Sequence, residues 1–327
     1  MDCSMRHALV TGASSGMGRA IALRLARRGF HVFATVRRPE DVQALQVEAV
    51  GQITPLLMDV TRQDQIARAG QVVGEHVAQR GLDALVNNAG VGLAWPLEIV
   101  PLEKFRAQFE VNVDGQLAVT QTFLPLIRKA TGRVIMIGSI ADRITPPFVG
   151  PLAASKHALL ALTEALRLEL APWSIRVVLI EPGNIRTEAG VKFEKDAAAA
   201  LQQFEPAGRA LYADAFRSMT SRFAARHTRG SDPEVVAAAV LTALETSRPH
   251  ARYLVGKDAR LFAVAAKLPP FLLDSLRRRI FGLPRREAAA RGERSATGAK
   301  RPRGAATANE TAASTGTSIR RELRTAR

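Results

Sequence analysis

The first residues able to do chemistry stand near the start of the chain. Thr11-Gly12-Ala13-Ser14-Ser15-Gly16-Met17-Gly18 is a glycine-rich turn between an apolar run, Ala8 to Thr11, and a stretch with helical spacing, Gly16 to Arg28. Glycines let a backbone approach a ligand closely, and a helix N-terminus presents free N–H groups and a positive dipole to a pyrophosphate. A ligand-free tight turn fits the same residues, because the glycines are spaced by three and then one residues rather than by one and then two. Cysteine chemistry is nearly absent: Cys3 is the single cysteine, which excludes an internal disulfide and a cysteine-rich zinc site. It also suits a reducing, cytoplasmic setting. Phenol chemistry is scarce too, with two tyrosines, Tyr212 and Tyr253.

The elements that must position such a turn can be read from periodicity. Strand-like runs fall at Ala8–Thr11, His31–Val36, Ile53–Met58, Ala84–Val86, Arg133–Ile137, Arg176–Ile180 and Tyr253–Val255. Helical spacing fills Gly16–Arg28, Arg62–Arg80, Leu102–Lys129, Leu152–Leu170 and Pro233–Thr246. Strands alternating with helices predict an α/β fold, a doubly wound parallel sheet of about seven strands with helices on both faces.

Further short motifs follow the strands in order. They are Asp59-Val60, Asn87-Asn88-Ala89-Gly90, Val111-Asn112-Val113, Gly138-Ser139, Ala154-Ser155-Lys156 and Pro182-Gly183-Asn184-Ile185-Arg186-Thr187. Together with the Thr-Gly-x-x-x-Gly-x-Gly turn they resemble the short-chain dehydrogenase/reductase family over about residues 5–256. Phe148 through Pro182 is most similar to its retinol and hydroxysteroid dehydrogenase-like branch. The resemblance implies a Rossmann-type fold and a nicotinamide dinucleotide. Gly12, Ser14, Ser15, Gly16, Met17 and Gly18 would shape the phosphate site, Asp59 and Val60 would contact adenine, and Asn88, Ala89 and Gly90 would line the ribose floor. Pro182, Gly183, Ile185 and Thr187 would hold the nicotinamide. The second strand ends Val36-Arg37-Arg38 with no carboxylate before Glu40. A carboxylate there binds the ribose 2′-hydroxyl of NAD, whereas Arg37 and Arg38 suit the 2′-phosphate of NADP. NADP(H) is therefore expected over NAD(H).

Members of this family act through Asn, Ser, Tyr and Lys, the last two at i and i+4 on one helix face. By resemblance Asn112, Ser139 and Lys156 are the catalytic set, and Lys156 also binds the nicotinamide ribose. The tyrosine position holds Leu152, in Gly150-Pro151-Leu152-Ala153-Ala154-Ser155-Lys156. Leucine has no proton to give. Tyr212, in the segment that covers substrate in the family, is the one phenol with a route inward, and Tyr253 reads as structural. His157 lies about 140° around the helix from residue 152. Two readings stand. One is an oxidoreductase interconverting an apolar alcohol and its ketone or aldehyde with an altered proton donor. The other is a pseudoenzyme that holds a dinucleotide as redox sensor or scaffold.

The formal net charge is +16 with a pI near 11.1. Residues 284–327 carry eleven basic and four acidic side chains with few large apolar ones, and read as a disordered basic tail. No nucleic-acid-reading motif is present, so no specific nucleic-acid partner is expected. Residues 188–229 carry Val191, Phe193, Leu201, Phe204, Leu211, Phe216, Met219 and Phe223 and read as a substrate lid for a small apolar substrate. Residues 258–283 interleave apolar and basic side chains around Pro269-Pro270. They fit a helix closing over the site or a subunit interface, or an interfacial segment giving peripheral membrane contact through 259–327. No run of 18 apolar residues suggests a membrane span, and a homodimer or homotetramer is expected from the resemblance alone.

Overall fold

A computed structural model describes residues 5–48 and 52–283; the tail reading and Cys3 lie outside them. Seven strands form one parallel sheet: β1 (Arg6–Val10), β2 (Phe30–Val36), β3 (Ile53–Leu57), β4 (Ala84–Asn87), β5 (Arg133–Ile137), β6 (Arg176–Pro182) and β7 (Arg252–Val255), ordered β3-β2-β1-β4-β5-β6-β7. Their middles are almost continuously apolar, as in Arg-Val-Ile-Met-Ile of β5, because a parallel sheet is covered on both faces. Pro55 lies in β3 at the sheet edge, where a missing backbone donor costs little.

The helices are α1 (Gly16–Arg27), α2 (Pro39–Glu48), α3 (Gln63–Val77), α4 (Leu102–Phe109), α5 (Gly115–Ala130), α6 (Gly150–Glu169), α7 (Glu188–Gln202), α8 (Pro206–Thr228), α9 (Glu234–Glu245), α10 (Ala259–Ala265) and α11 (Pro270–Phe281). Ile21 and Leu25 of α1 and Val236 and Val240 of α9 pack with Val10, Val86 and Ile180 on one face of the sheet. Ile66 and Val73 of α3, Phe123 and Ile127 of α5 and Leu159 of α6 cover the other, against Leu9, Leu85 and Met136. A third, aromatic-rich cluster joins Trp95, Phe193, Phe204, Phe216 and Met219 beneath α7 and α8.

Two expectations need correction. Leu102–Lys129 is not one helix: α4 and α5 are separated by a π-helical turn, Glu110–Asp114. One extra residue per turn is accommodated there, a feature common where a side chain must be aimed, and the residue concerned is Asn112. The helix α2 was not anticipated, because Pro39–Glu48 has almost no amphipathic periodicity, although Leu45 is buried. The segment 188–229, read only as a lid, forms the helices α7 and α8; the strands and the remaining helices of the sheet match the sequence reading within a few residues, and α10 and α11 break at Pro269-Pro270.

From β1 the chain winds outward through β2 and β3, then returns to β4 and winds the other way to β7. The crevice at the carboxyl ends of β1 and β4, where the winding reverses, is where such sheets bind ligands.

Candidate active site

The glycine-rich turn leaves β1 and enters α1 at that crevice. Gly12 has φ +66° and Gly16 φ +55°, backbone open mainly to glycine. A Cβ on Gly12 would lie 2.9 Å from the Cα of Ala89, and one on Gly18 would overlap the Gly12 carbonyl oxygen and the Asn88 amide. The turn is thus pressed against the β4 end. Thr11 Oγ1 accepts hydrogen bonds from the backbone N–H of Asn88 (2.9 Å) and Ala89 (3.0 Å), and Asn88 Nδ2 donates to the carbonyls of Thr11 (2.9 Å) and Gly12 (3.0 Å). Asn88 and Ala89 therefore brace the loop as well as lining the crevice. Ser15 is the N-cap of α1, but no side chain caps the helix and its first turn holds no acid. Ser14 is exposed, Ser15 and Met17 half-buried. The uncapped N–H groups and a cradle that a Cβ would fill fit the pyrophosphate of a dinucleotide.

At the end of β2, the two arginines differ. Arg38 pairs with Asp41 at 3.0 Å and with Glu40 at 3.6 Å. Arg37 is exposed and makes no ion pair among the described residues. Asp59 Oδ1 accepts from the Thr61 backbone and hydroxyl, both at 2.9 Å, and buried Val60 packs against Gly115.

Asn112, Ser139 and Lys156, expected as the catalytic set, lie on or beside the π-helical turn, the end of β5 and α6. Lys156 is buried on α6, and its Nζ donates to the Ile137 carbonyl at 2.8 Å, two residues before Ser139. Burial lowers its pKa to about 8, opposed by the Asp142 carboxylate. Ser139 Oγ accepts from the Ala141 N–H at 3.1 Å, capping a short 3-10 turn, Ile140–Asp142. Asn112 is fully used: its Oδ1 accepts from the Val91 N–H at 2.9 Å, and its Nδ2 donates to the Val91 carbonyl and the Ser155 hydroxyl, both at 3.0 Å. Gly90 lies between these groups, its absent Cβ 3.3 Å from Asn112 Oδ1 and 3.9 Å from Lys156 Nζ.

Leu152, one turn before Lys156, packs into the aromatic cluster. Gly92 lies against both Leu152 and Phe193: a Cβ there would stand 3.6 Å from Leu152 Cδ2, an ordinary contact, and a tighter 3.3 Å from the Phe193 ring. Neither tyrosine reaches this position. Tyr212 bonds the Glu98 carboxylate, which raises its pKa, and its ring meets Phe148 edge-on with centroids 6.1 Å apart. Tyr253 Oη accepts from the His250 N–H at 3.1 Å on the far edge strand. His157 is exposed, with Nδ1 2.9 Å from the Ala153 carbonyl.

The loop after β6 is held from residues that the motifs did not flag. Gly183 N–H donates to the Val255 carbonyl at 2.9 Å, and Asp258 accepts from Asn184 through both its backbone and its side chain. A Cβ on Gly183 would collide with that carboxylate. Pro182 ends β6, and Ile185 is buried and bridges to Ser231. Thr187, the N-cap of α7, meets His227 Nε2 at 3.3 Å through both its N–H and its hydroxyl, and burial lowers the His227 pKa. A second unflagged group is ionic. Buried Glu181 takes bidentate bonds from Arg143 (2.5 and 2.9 Å) and Arg252 (2.8 and 2.6 Å). Asp142 lies beside it, with Arg252 at 3.7 Å. Only a buried acid three residues after Ser139 could have signalled this in sequence.

A model described as short chain dehydrogenase matches residues 6–198. The chain belongs to the short-chain dehydrogenase/reductase family. Within it, the chain is 35% identical over 278 residues to an NADPH-dependent 3-dehydrocapnine reductase of Ornithobacterium rhinotracheale, covering 83% of this chain and 96% of that one. It is 34% identical over 283 residues to human retinol dehydrogenase 5, covering 84% and 89%. A short chain dehydrogenase of Burkholderia cenocepacia solved in complex with NADP superposes with a TM-score of 0.64 at 28% identity, covering 84% of this chain and 98% of that chain. This short-chain dehydrogenase/reductase resembles the retinol dehydrogenase-like branch.

Proposed function

We propose that the protein is an NADP(H)-dependent oxidoreductase that interconverts an apolar alcohol and its ketone or aldehyde with a proton donor other than tyrosine. One observation carries the reading: Lys156 is buried and aimed at the floor formed by Gly90 and Asn112, with Ser139 two residues beyond the carbonyl that anchors it. A buried ammonium with so few partners stabilises negative charge in its neighbourhood. The dinucleotide, when bound, supplies or accepts the hydride. Ser139 donates a hydrogen bond to the carbonyl oxygen of the substrate, since its own acceptor capacity already serves Ala141. In the reductive direction the alkoxide takes its proton from water, directly or through the Ser139 hydroxyl, which water then reprotonates, and the nearby Lys156 charge favours that transfer. Apolar side chains of α7 and α8, Phe193 and Phe216 among them, favour an apolar substrate. Relatives named for NADPH and retinol agree in direction with both choices.

A second reading has its own support. Leu152 is closed in by Phe193 across Gly92, as in a dinucleotide-holding protein without turnover. The experiment separates the two. NADPH and NADH binding are followed by fluorescence, then apolar ketones and aldehydes are added and absorbance at the nicotinamide band is followed. We expect NADPH to bind more tightly, wild type to turn over slowly, and Leu152→Tyr to raise turnover by about 10²–10⁴-fold. Tight binding with both proteins silent on every carbonyl overturns the enzyme reading in favour of the second.

A further inference from the structure

The hairpin of α10 and α11 has two apolar sides. One packs inward: Phe262 and Leu273 join Ile144, with Ile140 and Ile280 alongside. The other is uncovered. Leu261 and Val264, i and i+3 on one side of α10, are 69% and 67% exposed, and Phe271, at the start of α11, is 70% exposed. Leu268 and Leu272, at the turn and in the first turn of α11, are exposed as well. Residues 267–272, Lys-Leu-Pro-Pro-Phe-Leu, form an unbroken exposed run. Scattered exposed leucines are ordinary, but three large apolar side chains at one turn, with Leu261 and Val264 on the helix before it, call for a cover.

The charges around the hairpin say what that cover is. Arg260 and Lys267 flank the apolar tip and are exposed, and Arg278 and Arg279 lie exposed further along α11. The segment holds two acids. Asp258 is engaged by Asn184, and Asp274 pairs with Arg277 at 3.3 Å. The exposed face is therefore apolar at its tip and cationic at its margins, on a chain of net charge +16. A second copy of the same basic face would meet like charge. Anionic lipid satisfies both parts, taking the apolar tip below its headgroups and the cations at their level. Among the described residues no helix is long and apolar enough to cross a membrane, so the contact would be peripheral.

We infer that the α10–α11 hairpin docks the protein on anionic bilayers, with Phe271, Leu272 and Leu268 entering the interface and Arg260 and Lys267 on the headgroups. This stands apart from the catalytic reading, and its readout needs no turnover. The full chain is sedimented with vesicles of phosphatidylcholine alone or with about a third phosphatidylserine. We expect co-sedimentation with the anionic vesicles, weakened at high salt, and at least a tenfold loss of binding in Phe271→Ser/Leu272→Ser. Both side chains are exposed, so that variant should keep its fold, which circular dichroism checks. Arg260→Glu/Lys267→Glu should lose anionic selectivity. In Phe271→Trp, the new indole should be quenched by lipids brominated on their acyl chains. Wild type that stays in solution with every vesicle overturns the proposal. So does a serine variant that binds as well as wild type, since the hairpin would not be the docking element. Concentration-dependent dimerisation that this variant abolishes, with no vesicle binding, assigns the face to a second copy instead.

Discussion

Asp142 and Glu181 share one buried site and are driven in opposite directions. Burial and the neighbouring Glu181 charge raise Asp142 from 3.8 to about 8, while Arg143 and Arg252 only partly oppose them. Burial also works against the Glu181 charge, but the bidentate hydrogen bonds from Arg143 and Arg252 outweigh it and hold Glu181 at about 2. The pair therefore carries one proton, on Asp142, at neutral pH. The unfolded chain releases that proton near pH 3.8. The stability it contributes is thus full below that pH, declines as pH rises, and is gone above about 8. Glu181 contributes in the other sense, with stability present above about 4.5 and lost as pH falls through about 2. Asp142→Asn keeps the shape and removes the ionisation. We expect the melting temperature of wild type to fall between pH 6 and pH 8.5, and the variant to melt roughly 2–6 °C above it at pH 8.5. Equal melting at both pH values would show that Asp142 is ionised throughout. At this scale the sequence was legible where a motif fixes residue type and order, as for Gly12, Ser139 and Lys156. It was not legible for Asp142, Arg252, His227 or Asp258, whose partners are 40 to 110 residues away or arrive through strand register, which spacing along the chain does not encode.

Secondary elements place a histidine cluster at the opposite end of the sheet from the reacting groups. His7 of β1, His31 of β2 and His76 of α3 lie with ring centroids 4.4 to 5.9 Å apart, beside Phe33. Burial lowers the pKa of His7 and His31, and the mutual proximity of the rings adds to it; Asp83 partly opposes the shift at His7. Both groups are neutral in the folded chain at pH values where the unfolded chain is protonated. Their contribution is present above about 6.5 and is lost as pH falls through the lowered values. His31→Gln keeps a polar partner for Thr54, which His31 meets at 2.9 Å, and removes one titrating ring. Its melting temperature should fall less than wild type's between pH 7.5 and pH 5, by roughly 2–4 °C, as scanning calorimetry would record. The elements also show how far pattern reading reaches. Strands such as β5 were bounded correctly because a buried parallel strand is a short apolar run closed by a glycine or a polar residue. The π-helical turn at Asn112 left no trace in periodicity, because one added residue shifts the phase of a helix without changing its composition.

The whole molecule rests on one sheet with a core on each face, so damage to either core should reach the site. Phe123, on the inner face of α5, is fully buried in the second core with residues of β4 and β5. Phe123→Ala leaves a cavity and should destabilise the fold by about 3–5 kcal/mol. Urea unfolding followed by circular dichroism and by bound-NADPH fluorescence should move to lower urea together in this variant. Separate midpoints would mean that the dinucleotide crevice unfolds independently of the core. Fold class was legible at this scale because alternation of strands and helices, together with the right-handed crossover rule, leaves few topologies. The site's aromatic cover was legible only as composition, since which of Phe193, Phe204 and Phe216 face Leu152 depends on how α7 and α8 cross.

The contrast between Arg37 and Arg38 has a consequence for how the protein responds to its solution. Arg38 is already neutralised by Asp41 and Glu40, whereas Arg37 is exposed and has no ion-pair partner among the described residues. An exposed cation acting on a phosphate is felt through ions in the solvent, and its reach shrinks from about 30 Å at 0.01 M salt to about 10 Å at 0.1 M. The preference between phosphorylated and unphosphorylated dinucleotide should therefore be a function of ionic strength: NADPH affinity falls as potassium chloride is raised from 10 to 300 mM, NADH affinity stays nearly level, and Arg37→Ala makes the two titrations run parallel.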